Sequence, residues 1–386
     1  MSTVDVLFLL LRSALTGEPS RLPKEALTAE APEALYRLAK KHDVAHLVAL
    51  ALEREGLLPE GKLGEALKSQ QMLAIYRTET ALFAYDEIKA ALEKAEIPFI
   101  PLKGAILRDY YPEPWMRTSC DIDILVRKEQ LNDAVAALQE KGYKASEKRN
   151  YHDISLYSPS GVHLELHFSI KENMPQIDPM LESVWDYAEG VEGKKYEKRQ
   201  SAAYFVFHHI AHMSYHFVSG GCGIKPLLDL FVMRQKMPYE EEKARALCAA
   251  CGLEDFYGTV LSLTEAWLEG KPHTPLSQKA ESYILSGGVY GSSENHAVAK
   301  QGVAGGKFKY FWGRLFPPLS FLKETYPVLA RHKWLYPVML VRRFFSYLFT
   351  GGLHRGKKEW QANQAVSRDE ALQMRAFLEQ LGIQVK

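Results

Sequence analysis

The sequence predicts an α+β protein: a small mixed β-sheet flanked by N-terminal and C-terminal helical regions. Three observations carry this. Apolar residues recur at helical spacing up to about residue 95, a period of two takes over between residues 96 and 170, and the helical period returns from about residue 200.

The elements follow in order. Ala31 to Glu55 and Gly64 to Lys94 each read as helical runs, separated by the loop Gly56-Leu-Leu-Pro-Glu-Gly61. Ile97-Pro-Phe-Ile-Pro-Leu102 is short and apolar and reads as a buried strand. Lys103-Gly104 then opens a short helix that ends before Pro112 and Pro114. Cys120 to Val126 alternates polar and apolar residues as a second strand, and Lys128 to Lys141 is an amphipathic helix closed by Gly142. His152 to Tyr157 and Val162 to Phe168 are two more strands, joined by Ser158-Pro-Ser-Gly161, a hairpin turn by composition. About four strands are therefore expected. Ser367-Arg-Asp-Glu370 is a capping box that starts the last helix. The expected organisation is a helical region over 1–95, an α/β core over 96–200 and a helical domain over 201–386.

With 386 residues the chain can bury a sizeable core, and 47% apolar with 25% charged residues is ordinary for a globular protein. Lys and Arg (48) nearly cancel Asp and Glu (47), so net charge does not mark the whole chain as a polyanion binder. The balance is uneven: Gln301 to Trp360 holds eleven Lys/Arg against Glu324 and Glu359. The opening MSTVDVLFLLLRSAL lacks the basic start of a signal peptide, and Arg342 and Arg343 interrupt the apolar stretch Trp334 to Thr350. No transmembrane segment and a cytoplasmic location are expected. Four cysteines do not make a disulfide framework; Cys248 and Cys251 lie in a helical run with no second pair and read as small core residues.

Side chains on a strand alternate faces, so Asp121 and Asp123 share one face while Ile122 and Ile124 share the other. By the same rule His163, Glu165 and His167 share a face, with Val162, Leu164, Leu166 and Phe168 behind. If the two strands lie side by side with these stripes together, three carboxylates converge. Clustered carboxylates repel one another and are the ligand set of a hard cation such as Mg²⁺. That repulsion predicts that replacing both aspartates by asparagine leaves the fold intact. A phosphate grip is expected at Lys103-Gly104-Ala105, where a strand ends, glycine permits close backbone approach and a helix begins. Lys103 and Arg117 add positive charge for phosphate oxygens, and Ser119 adds a hydrogen-bond donor.

PLKGAILRDYY, RTSCDIDILV and, about forty residues later, HLELHF together resemble the bacterial family of uncharacterised nucleotidyltransferases, within the DNA-polymerase-β-like nucleotidyltransferase superfamily. The set is also similar to the KGG…RxSxDIDL pattern of abortive-infection-type nucleotidyltransferase toxins. By the resemblance, the superfamily's glycine turn falls on Lys103-Gly104, its acidic pair on Asp121 and Asp123, and its third acid on Glu165. It implies that the aspartates hold Mg²⁺ or Mn²⁺ carrying the NTP phosphates. Glu165 would complete a second metal site and help deprotonate the acceptor hydroxyl. The implied chemistry is in-line displacement at two ions ~3.5–4 Å apart. The family usually has Gly-Gly or Gly-Ser in the turn, whereas this chain has Gly104-Ala105. Without a hydroxyl there, either Lys103 compensates or nucleotide binding is weaker. The resemblance is clearest over residues 96–170 and looser at His208…His212, Ile224 to Leu230 and the basic aromatic tail.

His208, His212 and His216 are spaced by four and share a helix face. Two imidazoles at that spacing can bind zinc, but no HExxH glutamate accompanies them; hydrogen-bonded histidines beside the active-site cleft are the expectation. Asp229 is expected as a cap or a salt-bridge partner. Between Lys307 and Phe345, aromatic residues interleave with Lys and Arg, and the expected arrangement is aromatics inward with charges outward. Stacking on RNA or contact with an anionic membrane are the alternatives. The functional expectation is transfer of NMP from an NTP to a hydroxyl or phosphate acceptor on a small molecule, sugar or protein. The alternatives are transfer to tRNA or other RNA, as by the toxins, and a catalytically silent nucleotide-binding module.

Overall fold

The computed structural model describes residues 1–27, 31–149, 152–289, 291–304, 312–313, 316–319, 322–323, 326, 328–349 and 366–384. The chain divides into two compact units, Met1–His212 with Gly223–Ser282, and Met213–Cys222 with Tyr283–Lys386.

Helix α1 (Thr3–Thr16) is opened by a reciprocal cap between Ser2 and Asp5 and closed at Gly17, whose φ of 75° a side chain would resist. The helical run from Ala31 is two helices rather than one, α2 (Ala31–Lys41) and α3 (Ala45–Arg54). The break falls at Asp43, which takes a φ of 54°, and its carboxylate accepts a hydrogen bond from Lys225 Nζ at 2.7 Å. Helix α4 (Lys62–Lys94) is one element of 33 residues.

The sheet contains five strands: β1 (Phe99–Pro101), β2 (Asp121–Val126), β3 (Lys144–Arg149), β4 (Asp153–Tyr157) and β5 (His163–His167). They lie in the order β1-β2-β5-β4-β3; β2 and β5 are parallel and the other pairs antiparallel. The fold class and the strands expected at β1, β2, β4 and β5 are observed. Strand β3 is additional: Lys-Ala-Ser-Glu-Lys-Arg shows no apolar alternation, and its pairing with β4 shifts register between Ala145 and Arg149. Short helices α5 (Gly104–Leu107) and α6 (Leu131–Gln139) connect β1 to β2 and β2 to β3.

One face of the sheet is core. Ile122, Ile124, Ile154, Leu156, Leu164 and Leu166 pack with Ile88 and Leu92 of α4 and Ala134 and Leu138 of α6, all essentially inaccessible to water. Each such aliphatic side chain contributes ~1.5–3 kcal/mol. This burial fixes which face of β2 and β5 is free to carry polar groups.

Helices α7 (Asp178–Glu182), α8 (Ala202–Val218), α9 (Lys225–Lys236), α10 (Glu241–Ala250) and α11 (Glu254–Glu269) follow, with a two-stranded ribbon, β6 (Ala188–Gly190) and β7 (Lys198–Gln200), before α8. Cys248 and Cys251 are buried at the end of α10, and burial pushes the Cys248 thiol up to about 12.

In the second unit, α13 (Ser293–Ala304) packs on the helix Arg368–Gln380, burying Ala297, Val366 and Ala371; α12 (Pro275–Ser286) leads into it. The capping box of Ser367 and Glu370 is formed. Much of the basic aromatic stretch, including Phe308, Tyr310 and Phe311, lies outside the described residues. Where it is described, the inward packing of aromatics is not observed. Trp312, Trp334 and Phe344 are exposed, as are Val338 and Val341 of the helix Tyr336–Phe349. The reason is that the described core of this unit is built elsewhere, between α13 and the helix Arg368–Gln380. Among the described residues, no helix is long and apolar enough to cross a membrane.

The loop between α5 and β2 is pinned at several points. His46 Nε2–H donates to the Met116 carbonyl at 3.0 Å, and burial pulls His46 down to about 4, so the ring is neutral. Thr118 Oγ1 donates to Asp43 at 3.0 Å. Arg117 grips Asp229 of α9 with two nitrogens, at 2.6 and 2.9 Å, and Tyr111 donates to the same carboxylate at 2.7 Å. Asp229 is fully buried, the salt-bridge partner expected of it. Breaking a buried ion pair by removing one charge costs about 3–5 kcal/mol. Asp229→Asn should lower the unfolding free energy by that amount in a urea titration; a loss under about 1 kcal/mol would show that the Arg117 latch is not structural.

Candidate active site

The site sits on the sheet face opposite the core. Parallel pairing sets Asp121 beside His163 and Asp123 beside Glu165, so the polar stripes of β2 and β5 face the same way. The donor atoms of Asp123, Glu165 and His167 lie within 4.8 Å of one another, as do those of Asp121, His163 and Glu165. The three acids predicted from the sequence are thus brought together, and Glu165 belongs to both groups.

The two aspartates differ in environment. Burial raises Asp121, and the neighbouring carboxylates of Asp123 and Glu165 raise it further, to about 6. Burial would also raise Asp123, but the Lys103 ammonium and His167 override it and hold its carboxyl well below the usual range. Lys103 Nζ is 3.5 Å from Asp123 Oδ1, and His167 Nε2–H donates to the same oxygen at 2.9 Å. His167 Nε2 is also 3.5 Å from Glu165 Oε2. Burial opposes protonation of His167, but the hydrogen bonds to Asp123 and Glu165 lift it to about 9. The expectation that asparagine at both aspartates leaves the fold intact is corrected on one side. Asp121 is a repelled acid, whereas Asp123 is the buried partner of two cationic groups, half-buried Lys103 and buried His167.

Lys103 reaches Asp123 from a strained backbone, with φ at 44°. Gly104 permits the turn: a Cβ there would come within 3.3 Å of the Ser119 Cβ. Ala105 is placed otherwise than a phosphate contact, buried in the core with its N–H donated to the Leu102 carbonyl. Arg117 is committed to Asp229, with its remaining nitrogen on the Thr118 carbonyl at 2.6 Å. Ser119 accepts from Arg108 Nη2 at 2.9 Å and donates to the Asp121 carbonyl at 3.0 Å. The structure therefore groups Lys103 with the acids and uses Arg117 and Ser119 to hold the loop.

Several residues here were not singled out by sequence. Arg108, 2% exposed, ties the Gly104 carbonyl to Ser119. Glu172 accepts from His212 Nδ1 at 2.6 Å and lies near enough to Lys103 to help keep it charged. His167 was visible on the right face through the period of two, but its pairing with Asp123 was not. Of that row His208 is also hydrogen-bonded, with Gln200, and the neighbouring His209 donates to the Pro226 carbonyl. Burial holds His208 neutral, at about 3.

Three carboxylates, Asp121 and Glu165 half-buried and Asp123 buried, with Asp121 raised, are a donor set suited to Mg²⁺ or Mn²⁺. No curated protein matches the chain. The solution structure of the antibiotic-resistance factor ANT(2'')-Ia is similar to it at 13% identity, covering 50% of this chain and 91% of that chain, with a TM-score of only 0.26. The family described as uncharacterised nucleotidyltransferase matches residues 28–269, a span that holds the acids, the Lys103 turn and the Arg117–Asp229 pair. The chain belongs to this uncharacterised nucleotidyltransferase family.

Proposed function

We propose that the protein transfers NMP from an NTP to an acceptor hydroxyl or phosphate, with Asp121, Asp123 and Glu165 as the reaction centre. The observation that carries this is the in-register pairing of Asp123 with Glu165 on parallel strands, two residues from Asp121's partner His163 and on the same face. The acceptor oxygen forms a bond to the α-phosphorus, the bond from that phosphorus to the bridging oxygen breaks, pyrophosphate leaves and the acceptor proton is released. A bound divalent cation supplies Lewis-acid stabilisation of the phosphate charge. Lys103 adds a mobile ammonium that can leave Asp123 for a phosphate oxygen. Glu165, the most exposed of the acids near His167, accepts the acceptor proton. The division into 1–95, 96–200 and 201–386 assigns the chemistry to the middle region.

Incubation with each of four labelled NTPs, Mg²⁺ or Mn²⁺ and cell extract should yield one labelled product and pyrophosphate. Calorimetry showing no cation-dependent NTP binding would favour the silent module instead.

Asp121→Asn should abolish pyrophosphate release and yet stabilise the fold. A carboxyl raised from its unfolded value to about 6 weakens the folded state as pH rises through that window, because the unfolded chain ionises first. In EDTA at pH 7.5 the variant should therefore gain about 1–3 kcal/mol over wild type, and the gain should vanish near pH 4. A variant less stable than wild type at pH 7.5 would contradict the repulsion.

Lys103→Ala should raise the KM for NTP roughly tenfold to a hundredfold, since a charge-assisted hydrogen bond is worth about 1.5–3 kcal/mol. Cation affinity should stay level or tighten, because a competing positive charge has gone. Weakened cation binding with unchanged KM would remove Lys103 from the phosphate role.

A further inference from the structure

Beyond the acid trio, the same sheet face carries a second cluster one row further along. Asp153 of β4 is the cross-strand partner of His167, so both side chains lie on the site face. His152 precedes the strand, and its ring stacks on that of His167 with centroids 5.4 Å apart and planes 16° from parallel. Its Nε2 lies 2.9 Å from Asp153 Oδ2. The donor atoms of His152, Asp153 and His167 lie within 4.8 Å of one another.

We propose that His152, Asp153 and His167 form a second cation site, for a borderline divalent transition metal such as Zn²⁺ or Co²⁺. It is independent of the nucleotidyl-transfer reading. Two points beyond proximity support it. The first is the orphan nitrogen: His167 is 3% exposed, and its Nδ1 has no hydrogen-bond partner. A buried polar atom without a partner is rare and costly, and a bound ion is one of the few things that satisfies it. The second is what holds the ring. His167 Nε2–H donates to Asp123, so the nitrogen left to bind is Nδ1, which releases its proton to solvent as the cation enters. A ligating imidazole is characteristically fixed in this way by a carboxylate on its other nitrogen.

The donor chemistry separates this cluster from the trio. Two imidazoles and one carboxylate favour zinc-like metals, whereas three carboxylates favour Mg²⁺. Donors on a tetrahedral zinc are ~3.3 Å apart for bonds of ~2.0–2.1 Å, so gathering the three takes shifts of about an ångström and a turn of the half-buried His152 ring out of its stack on His167. A fourth position is left open. Asp153, 1% exposed, supplies the negative charge that makes a dication tolerable at this depth.

The test is zinc titration of chelator-treated full-length protein by calorimetry, with Cu²⁺ EPR as a count of nitrogen ligands. Wild type should bind one Zn²⁺ that excess Mg²⁺ does not displace, and Cu²⁺ in the same excess of Mg²⁺ should show two nitrogen couplings. Asp121→Asn should bind Zn²⁺ with unchanged affinity. His152→Gln, at a partly exposed position, should lose at least roughly tenfold in affinity and one nitrogen coupling. Asp153→Asn should weaken binding likewise, checked for folding by circular dichroism; if it does not fold, His152→Gln and the wild-type EPR spectrum still decide. Unchanged zinc binding in His152→Gln, or loss of binding in Asp121→Asn, would overturn the proposal. Absence of nucleotidyl transfer would leave these measurements unaffected.

Discussion

The parallel contact between β2 and β5 is the constraint on which the site depends. It sets Asp121 against His163 and Asp123 against Glu165, and Ile122, Ile124, Leu164 and Leu166 lock it from behind. A slip of one residue would turn every acid into the core and every aliphatic side chain to water, so burial of the apolar face selects the register. The resulting concentration of negative charge needs compensation, and Lys103 supplies part of it from a backbone conformation costing ~1–3 kcal/mol. At 3.5 Å from Asp123, the attraction is about 5 kcal/mol at an effective dielectric of 20, before desolvation of the two groups. The attraction is large enough to hold the turn in its strained form.

The loop before β2 raises a different problem. It carries two guanidinium groups into the interior, Arg108 and Arg117; burial and then the charge of Arg117 lower Arg108, whereas Asp229 outweighs the burial of Arg117 and raises it. The fold answers with unequal partners. Arg117 receives a full carboxylate from Asp229, while Arg108 receives the Gly104 carbonyl and the Ser119 hydroxyl. The same hydroxyl donates its own hydrogen bond to the Asp121 carbonyl. Loop, turn and acidic strand are thereby joined by one chain of hydrogen bonds, and the start of β2 is fixed in place.

What the sequence made legible was what local periodicity encodes. The alternation in Asp121 to Val126 and in Val162 to Phe168 predicted both strands and the shared face of the acids. Strand β3 escaped because Lys144 to Arg149 carries charge where alternation would show; it is a strand because β4 offers it a ladder. The split between α2 and α3 was hidden because Asp43 takes its left-handed φ within a tertiary contact to Lys225, far along the chain. Arg117 was legible as a cation and not as the partner of Asp229, a pairing across 112 positions. Phosphate-seeking and latch-forming arginines look alike until the fold shows what stands opposite them.

The contrast between Asp121 and Asp123 takes this furthest. Two aspartates two residues apart on one strand face are equivalent by any reading of the sequence, yet one is raised to about 6 and the other held well below its ordinary value. The difference comes from what surrounds them. Asp123 is buried between Lys103 and His167, while Asp121 meets chiefly the other acids. A divalent cation entering this face would relieve the repulsion at Asp121 and compete with the partners Asp123 already has. Its affinity is therefore set as much by how readily Lys103 and His167 give way as by the count of carboxylates. In the proposed reaction a nucleotide phosphate beside the cation would offer Lys103 an alternative partner, so NTP and cation would favour each other's binding through this one side chain.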